Sequence, residues 1–185
     1  GGGSLGLARA PGRLGEFFGL TGARMGPEDA IYTDFANFYV AKDDWGALIS
    51  RLCETGDVQL IETYHTSKIS GGPIAEWQPD IDALFAGAGL VEILNACSTN
   101  DLESAVMAQK LLMKNSPLAM SCGLQAIRAA RQMTLNTALM QEYRYVWRCM
   151  EHGDFLEGIR AQVIDKDRNP KWRHDRIEDV TDRET

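Results

Sequence analysis

Asp154-Phe-Leu-Glu-Gly-Ile-Arg-Ala-Gln-Val-Ile-Asp-Lys-Asp-Arg-Asn-Pro-Lys-Trp172 is the stretch from which the rest of this chain is best read. It opens with Asp154 followed three residues later by Glu157, the spacing at which an N-cap acid and a Glu can satisfy each other's backbone N–H groups. Ile159, Ala161, Val163 and Ile164 then predict a helix that gives way to the charged run Asp165–Arg168. Pro170 ends any helix, and Trp172 follows as a large aromatic anchor.

Composition bounds what surrounds this block. The chain has 185 residues, a net charge of −7 and 44% hydrophobic residues, enough for one ordinary domain or a piece of a larger one. The acidic balance, with no basic stripe interleaved with aromatics, argues against a nucleic-acid binder. No run approaches the roughly 18 apolar residues of a membrane span, and no leader pattern opens the chain. Cys53, Cys97, Cys122 and Cys149 lie far apart without a CxxC pair, which reads as reduced, buried thiols in a reducing compartment. His65, His152 and His174 are isolated, so no metal site is expected.

Along the chain, Leu14, Phe17, Phe18 and Leu20 make an apolar helical face ending at Gly22, a natural C′ residue. Gly26-Pro27 opens another helix, with two acids in its first turn. Phe35–Val40 reads as a short strand, and Asp34 before it tolerates positive φ better than most residues. Helical spacing recurs at Trp45, Leu48, Ile49 and Leu52, and again over 58–64. Thr66–Pro73 reads as a polar loop. Ile81 to Phe85 and Leu90 to Leu94 suit two more helices. Asn100 to Glu103 has capping-box spacing, and Ser116-Pro117 pairs an N-cap with an N1 proline. Leu135, Leu139, Tyr143, Val146 and Met150 step by three or four, a stripe that calls for a partner surface. Arg160, Glu157 and Glu142 are expected to form ion pairs between the last two long helices.

The residues Phe155, Glu157, Gly158, Arg160, Ala161, Ile164, Asp165, Lys166, Pro170 and Trp172 resemble the C-terminal pattern of the 3-hydroxyisobutyryl-CoA hydrolases. These are a branch of the crotonase (enoyl-CoA hydratase/isomerase) superfamily. Gly1-Gly2 leading to Arg9-x-Pro11-Gly12 resembles the superfamily segment that follows a Pro-Asp-Val tripeptide. The run from Leu20-Thr21-Gly22 through Asp29-Ala30 to Ala36–Val40 is similar too. Two departures stand out: Asp34 replaces a usual Gly, and Ser4 replaces a frequent aromatic.

The resemblance implies a mostly α fragment, the C-terminal helical portion of an α/β ClpP/crotonase-like spiral fold. Its expected parts are residues 1–40, the end of the core with helices and one short strand; 41–100, a branch-specific helical insertion; and 101–185, a C-terminal helical region. It implies an acyl-CoA thioester hydrolase acting in valine catabolism, with acyl-CoA as substrate and no cofactor. The catalytic Glu, the catalytic Asp and the oxyanion hole would all lie upstream of Gly1, so no residue here is expected to be catalytic. Gly1 and Gly2 would stand at the active-site edge, or else allow close helix packing. Lys166 and Arg168 would meet CoA phosphates, or else form a solvated helix end.

Enoyl-CoA hydration or isomerisation is the second reading, and a non-catalytic helical packing or oligomerisation module the third. The residue before Val-Gly-Gly would separate the first two. A homo-oligomer is expected. The compartment would be the bacterial cytoplasm or, in a eukaryote, the mitochondrial matrix.

Overall fold

The structure, a computed structural model, describes residues 1–66, 72–181 and 183–185. All its regular elements among these residues are helical: α1 Gly3–Arg9, α2 Leu14–Thr21, α3 Pro27–Tyr32, α4 Trp45–Thr55, α5 Leu60–Thr63, α6 Ile74–Leu84, α7 Leu90–Ser98, α8 Glu103–Leu112, α9 Pro117–Ala130, α10 Leu135–His152 and α11 Phe155–Ile159. Among the described residues no helix is long and apolar enough to cross a membrane. By packing, the chain forms two compact units, Gly1–Ala23 with Trp77–Thr185, and Arg24–Glu76.

The larger unit is organised around α2, which packs against α1, α8 and α9. Leu14, Phe17 and Leu20 are essentially inaccessible, and Phe17 meets Phe18 and Phe85 edge-on at 5.2 and 5.7 Å. Burial of one such phenyl group contributes about 2–3 kcal/mol. Close approach of α1 and α2 depends on Gly15, where a Cβ would collide with the carbonyl group of Leu7. Gly22 closes α2 in the left-handed region, φ 63°, as the sequence predicts. Leu124 and Ile127 of α9 and Ile93 and Cys97 of α7 complete the core. The 3-10 turn Ile177–Asp179 folds back onto α7 and α9.

The smaller unit holds α3, the 3-10 turn Lys42–Asp44, α4 and α5. Asp29 accepts a bond from Gly26 N–H at 3.0 Å and caps α3, and Asp34 adopts φ 60°, both as the sequence indicates. The expected strand over Phe35–Val40 does not form. A strand needs a neighbour to take its N–H and C=O groups. Here Tyr39 donates its N–H to His65 Nδ1 at 3.0 Å and accepts from Thr66 N–H at 3.1 Å. The imidazole thus fills the place of a second chain. The polar loop expected over Thr66–Pro73 falls largely outside the described residues.

Candidate functional site

The segment from Asp154 to Trp172 folds in three steps. α11 begins after Asp154 and passes directly into a π-helical turn, Arg160–Ile164. The chain then reverses through Asp165–Asn169, and Trp172 lays its ring against Gly158 while its indole N–H donates to Lys114 O at 3.1 Å. Trp172 is therefore the anchor that the sequence suggested.

The expected capping box does not form. Asp154 leaves its own helix uncapped and is instead buried between two other elements. Its Oδ2 accepts the Ser116 hydroxyl at 2.5 Å and its Oδ1 accepts Arg173 N–H at 2.8 Å. Ser116 also accepts Ala119 N–H and so caps α9, the arrangement expected of Ser116-Pro117. One short chain of bonds thus ties the start of α9, the start of α11 and the residues after Trp172.

Glu157 is freed for another task. Arg160 grips it with Nε and Nη2, 2.9 and 2.8 Å, and Lys171 N–H reaches it at 2.6 Å. The bond from Arg160, and next the one from Lys171 N–H, hold the Glu157 carboxyl down to about 2. The same guanidinium sends Nη1 to Asp165 at 2.6 Å and Asp167 at 2.8 Å, and Nη2 to Asn169 O at 3.2 Å. One arginine therefore gathers three carboxylates and a carbonyl. Lys166 and Arg168, alternating with those acids, sit in the left-handed region at φ 56° and 54°. Both are exposed, and neither has an ion-pair partner among the described residues. Arg173, by contrast, is engaged with the carbonyl of His152.

Beside this segment lies a groove of about 450 Å³ whose walls include Gly19, Leu20, Ala119, Gly158, Val163 and Trp172. It is mostly apolar, with Asn115, Ser116, Asp154 and Gln162 as its polar lining.

Gly1 and Gly2 sit apart from the Lys166–Arg168 loop, against α10. A Cβ on Gly1 would come within 2.6 Å of Leu139 Cδ2, the end of a side chain that is itself exposed. Glu142 does not join Arg160, contrary to expectation. It caps α1 instead, accepting Gly2 N–H at 2.5 Å, Ser4 N–H at 2.8 Å and Ser4 Oγ at 2.6 Å. Partial burial pulls the Glu142 carboxyl upward, but these three bonds outweigh it and leave the group below its ordinary value.

Sequence reading missed Glu16. It is fully buried in the larger unit and is met by Arg13 at 2.8 Å, Arg128 at 3.0 Å and Arg131 at 3.3 Å. Arg128 goes on to the carbonyls of Phe85, Gly87 and Ala88. The one available signal was an acid inside the apolar run Leu14–Leu20. The apolar stripe of α10 was expected to bury, yet Leu135, Leu139, Tyr143, Val146 and Met150 are all exposed among the described residues.

Cys97 and Cys149 are buried and Cys122 is partly so; burial raises all three, Cys97 to about 11. Cys53 is exposed, against expectation. Among the described residues no group of three His, Cys, Asp or Glu side chains could hold a metal ion.

The family model for enoyl-CoA hydratase/isomerase matches residues 1–185. The probable 3-hydroxyisobutyryl-CoA hydrolase 3 of Arabidopsis thaliana is 33% identical, over 98% of this chain and 52% of its own length. The human mitochondrial 3-hydroxyisobutyryl-CoA hydrolase is 30% identical, over 98% and 50%. This chain thus spans about half the length of the curated relatives it matches. Among solved structures, an enoyl-CoA hydratase from Rhodobacter sphaeroides superposes with a TM-score of 0.90 at 44% identity, over 99% of this chain and 53% of its own. A carnitinyl-CoA dehydratase from Mycobacterium thermoresistibile also gives 0.90, at 34% identity and the same coverage. The chain belongs to the enoyl-CoA hydratase/isomerase family.

Proposed function

We propose that this chain is the C-terminal helical part of a crotonase-fold acyl-CoA thioester hydrolase of the 3-hydroxyisobutyryl-CoA type. The single observation that carries the reading is the match of the whole chain to hydrolases of that name, at about one third identity. The Asp154–Trp172 segment, whose residues carry the resemblance, is also bound together by the Arg160 bonds and the Trp172 indole. In this reading the acid–base carboxylates and the oxyanion donors lie upstream of Gly1, and Gly1 and Gly2 border the active site. Lys166 and Arg168 meet the phosphates of CoA, a role consistent with two exposed cations lacking partners. A homo-oligomer in the bacterial cytoplasm or the mitochondrial matrix fits the same reading, and several hydrolase relatives carry "mitochondrial" in their names.

Full-length protein offered 3-hydroxyisobutyryl-CoA is expected to release free CoA thiol, with the unsaturated thioester left unhydrated. Loss of the enoyl absorbance of a crotonyl-type thioester without thiol release would overturn the reading in favour of hydration. That second reading is favoured by the 44% identity to a structure described as an enoyl-CoA hydratase. Residues 1–185 alone are expected to release no thiol from any acyl-CoA. Turnover by this chain would overturn the placement of the chemistry upstream. A third reading, a helical packing or oligomerisation module, draws on the exposed face of α10.

A further inference from the structure

We propose that Arg160 is a positioning residue whose carboxylate cluster sets Lys166 and Arg168 as a preformed pair for a phosphate-bearing ligand. The inference rests on the reading that this loop meets CoA phosphates. The run Asp165-Lys166-Asp167-Arg168 alternates in sign, and the structure sorts it by sign. Asp165 and Asp167 both turn to the Arg160 guanidinium, at 2.6 and 2.8 Å, and neither cation has an ion-pair partner among the described residues. Their backbone is held where L residues rarely go, φ 56° and 54°, a conformation that persists only when its surroundings over-determine it. The over-determination is visible. Arg160 O accepts Asp165 N–H at 2.8 Å, Ala161 O accepts Arg168 N–H at 3.0 Å, and Asp167 Oδ1 accepts Asn169 N–H at 2.9 Å.

Arg160 is fixed in turn by its two-pronged grip on Glu157, which also holds Lys171 N–H. A planar fork that serves Glu157 on one side and two aspartates on another is a geometry that lysine cannot reproduce. Arg160 is occupied by Glu157, Asp165, Asp167 and the Asn169 carbonyl and needs no contact with the ligand. Its work is to keep the acids away from the cations and the cations aimed outward. A ligand then meets two guests already in place and does not have to order a floppy loop, so less conformational entropy is lost on binding.

The test compares acyl-CoA with the corresponding acyl-pantetheine thioester, which carries the same reacting group without phosphates. Measurements use the full-length enzyme. Arg160→Gln and Arg160→Lys are each expected to raise KM for acyl-CoA roughly three- to tenfold, the loss of two exposed charge contacts, with kcat unchanged. KM for acyl-pantetheine should not move. A contribution from net charge alone would leave Arg160→Lys like the wild type, and that result overturns the proposal.

The double variant Asp165→Asn with Asp167→Asn opposes the two explanations directly. Removing two negative charges beside a polyanion tightens binding if only charge matters, whereas positioning predicts weaker binding of free CoA by calorimetry. Tighter or unchanged binding sinks the inference. Lys166→Gln with Arg168→Gln separates its failure from that of the underlying reading. If that pair leaves KM for acyl-CoA unchanged, the loop does not meet CoA phosphates and both fall. If it raises KM while the Arg160 and aspartate variants do nothing, the positioning role alone falls.

Discussion

The ion clusters at Glu16 and at Arg160 are inversions of each other, and the contrast separates two uses of the same chemistry. At Glu16 one fully buried acid gathers three arginines that stay partly exposed. At Arg160 one arginine gathers three acids at the surface. The buried carboxylate cannot be left alone, because an unpaired charge in the interior costs several kcal/mol, so its partners are obligatory. At the surface each pair is weak on its own. What the Arg160 cluster contributes is the shape of a loop. The first cluster holds α2, α9 and the carbonyls of 85–88 together; the second holds two cations outward.

The largest break in this comparison is Glu16→Ala. It is expected to lower the unfolding free energy by about 3 kcal/mol, because the charge-assisted bonds of three arginines are lost and water, which reaches the arginines, replaces them only in part. Urea denaturation measures it, and a loss of the size seen for surface pairs would erase the distinction between the clusters. Next comes Ser116→Ala, at the buried junction where Asp154 joins α9 to the Trp172 segment. The lost N-cap and the stranded Asp154 oxygen together predict a loss of about 2 kcal/mol.

Two smaller effects sharpen the surface side. Lys166→Gly relieves a left-handed L residue, a gain of about 0.5 kcal/mol once the greater freedom of Gly in the unfolded chain is subtracted. Calorimetric unfolding checks the sign, and a loss would mean that the Lys side chain does more for the fold than its exposure indicates. Smallest is the acid limb. Because Glu157 is held down to about 2, its contribution is complete above its ordinary value near 4.5 and fades as pH falls from there through about 2. Carboxyl NMR titration should place the Glu157 midpoint there and return it toward 4.5 in Arg160→Gln.

Much of the helical plan is legible in the sequence because its signals are local. Ser116-Pro117, Gly22 and Pro27 act on backbone groups within a turn, and they act where expected. What fails is whatever depends on a distant partner. Asp154 and Glu157 have capping-box spacing, yet Ser116 and Arg160 outcompete the helix end for them. Asn100 does not open α8; its amide donates to Ala96 O at the end of α7. Glu142 looked like a partner for Arg160 and instead caps a helix about 140 residues earlier. The three arginines around Glu16 are unremarkable surface residues in sequence, since nothing near them shows that an acid from α2 will arrive. Phe35–Val40 carries strand-forming residues but meets only an imidazole and one amide. In the candidate site, resemblance pointed to Lys166 and Arg168, while their left-handed backbone and the Arg160 hub were not legible.

The cap that Glu142 places on α1 also bears on how the chain folds. Gly2 and Ser4 lie 140 and 138 residues from the carboxylate that receives them. During synthesis the Gly2 and Ser4 N–H groups cannot meet this carboxylate until the first half of α10 has been made. Closing so long a loop is slow chiefly because so many intervening residues must first be arranged, and long-range contacts of this kind lower folding rates. The joint between α1 and α10 thus forms only after some 140 residues that follow α1 have emerged.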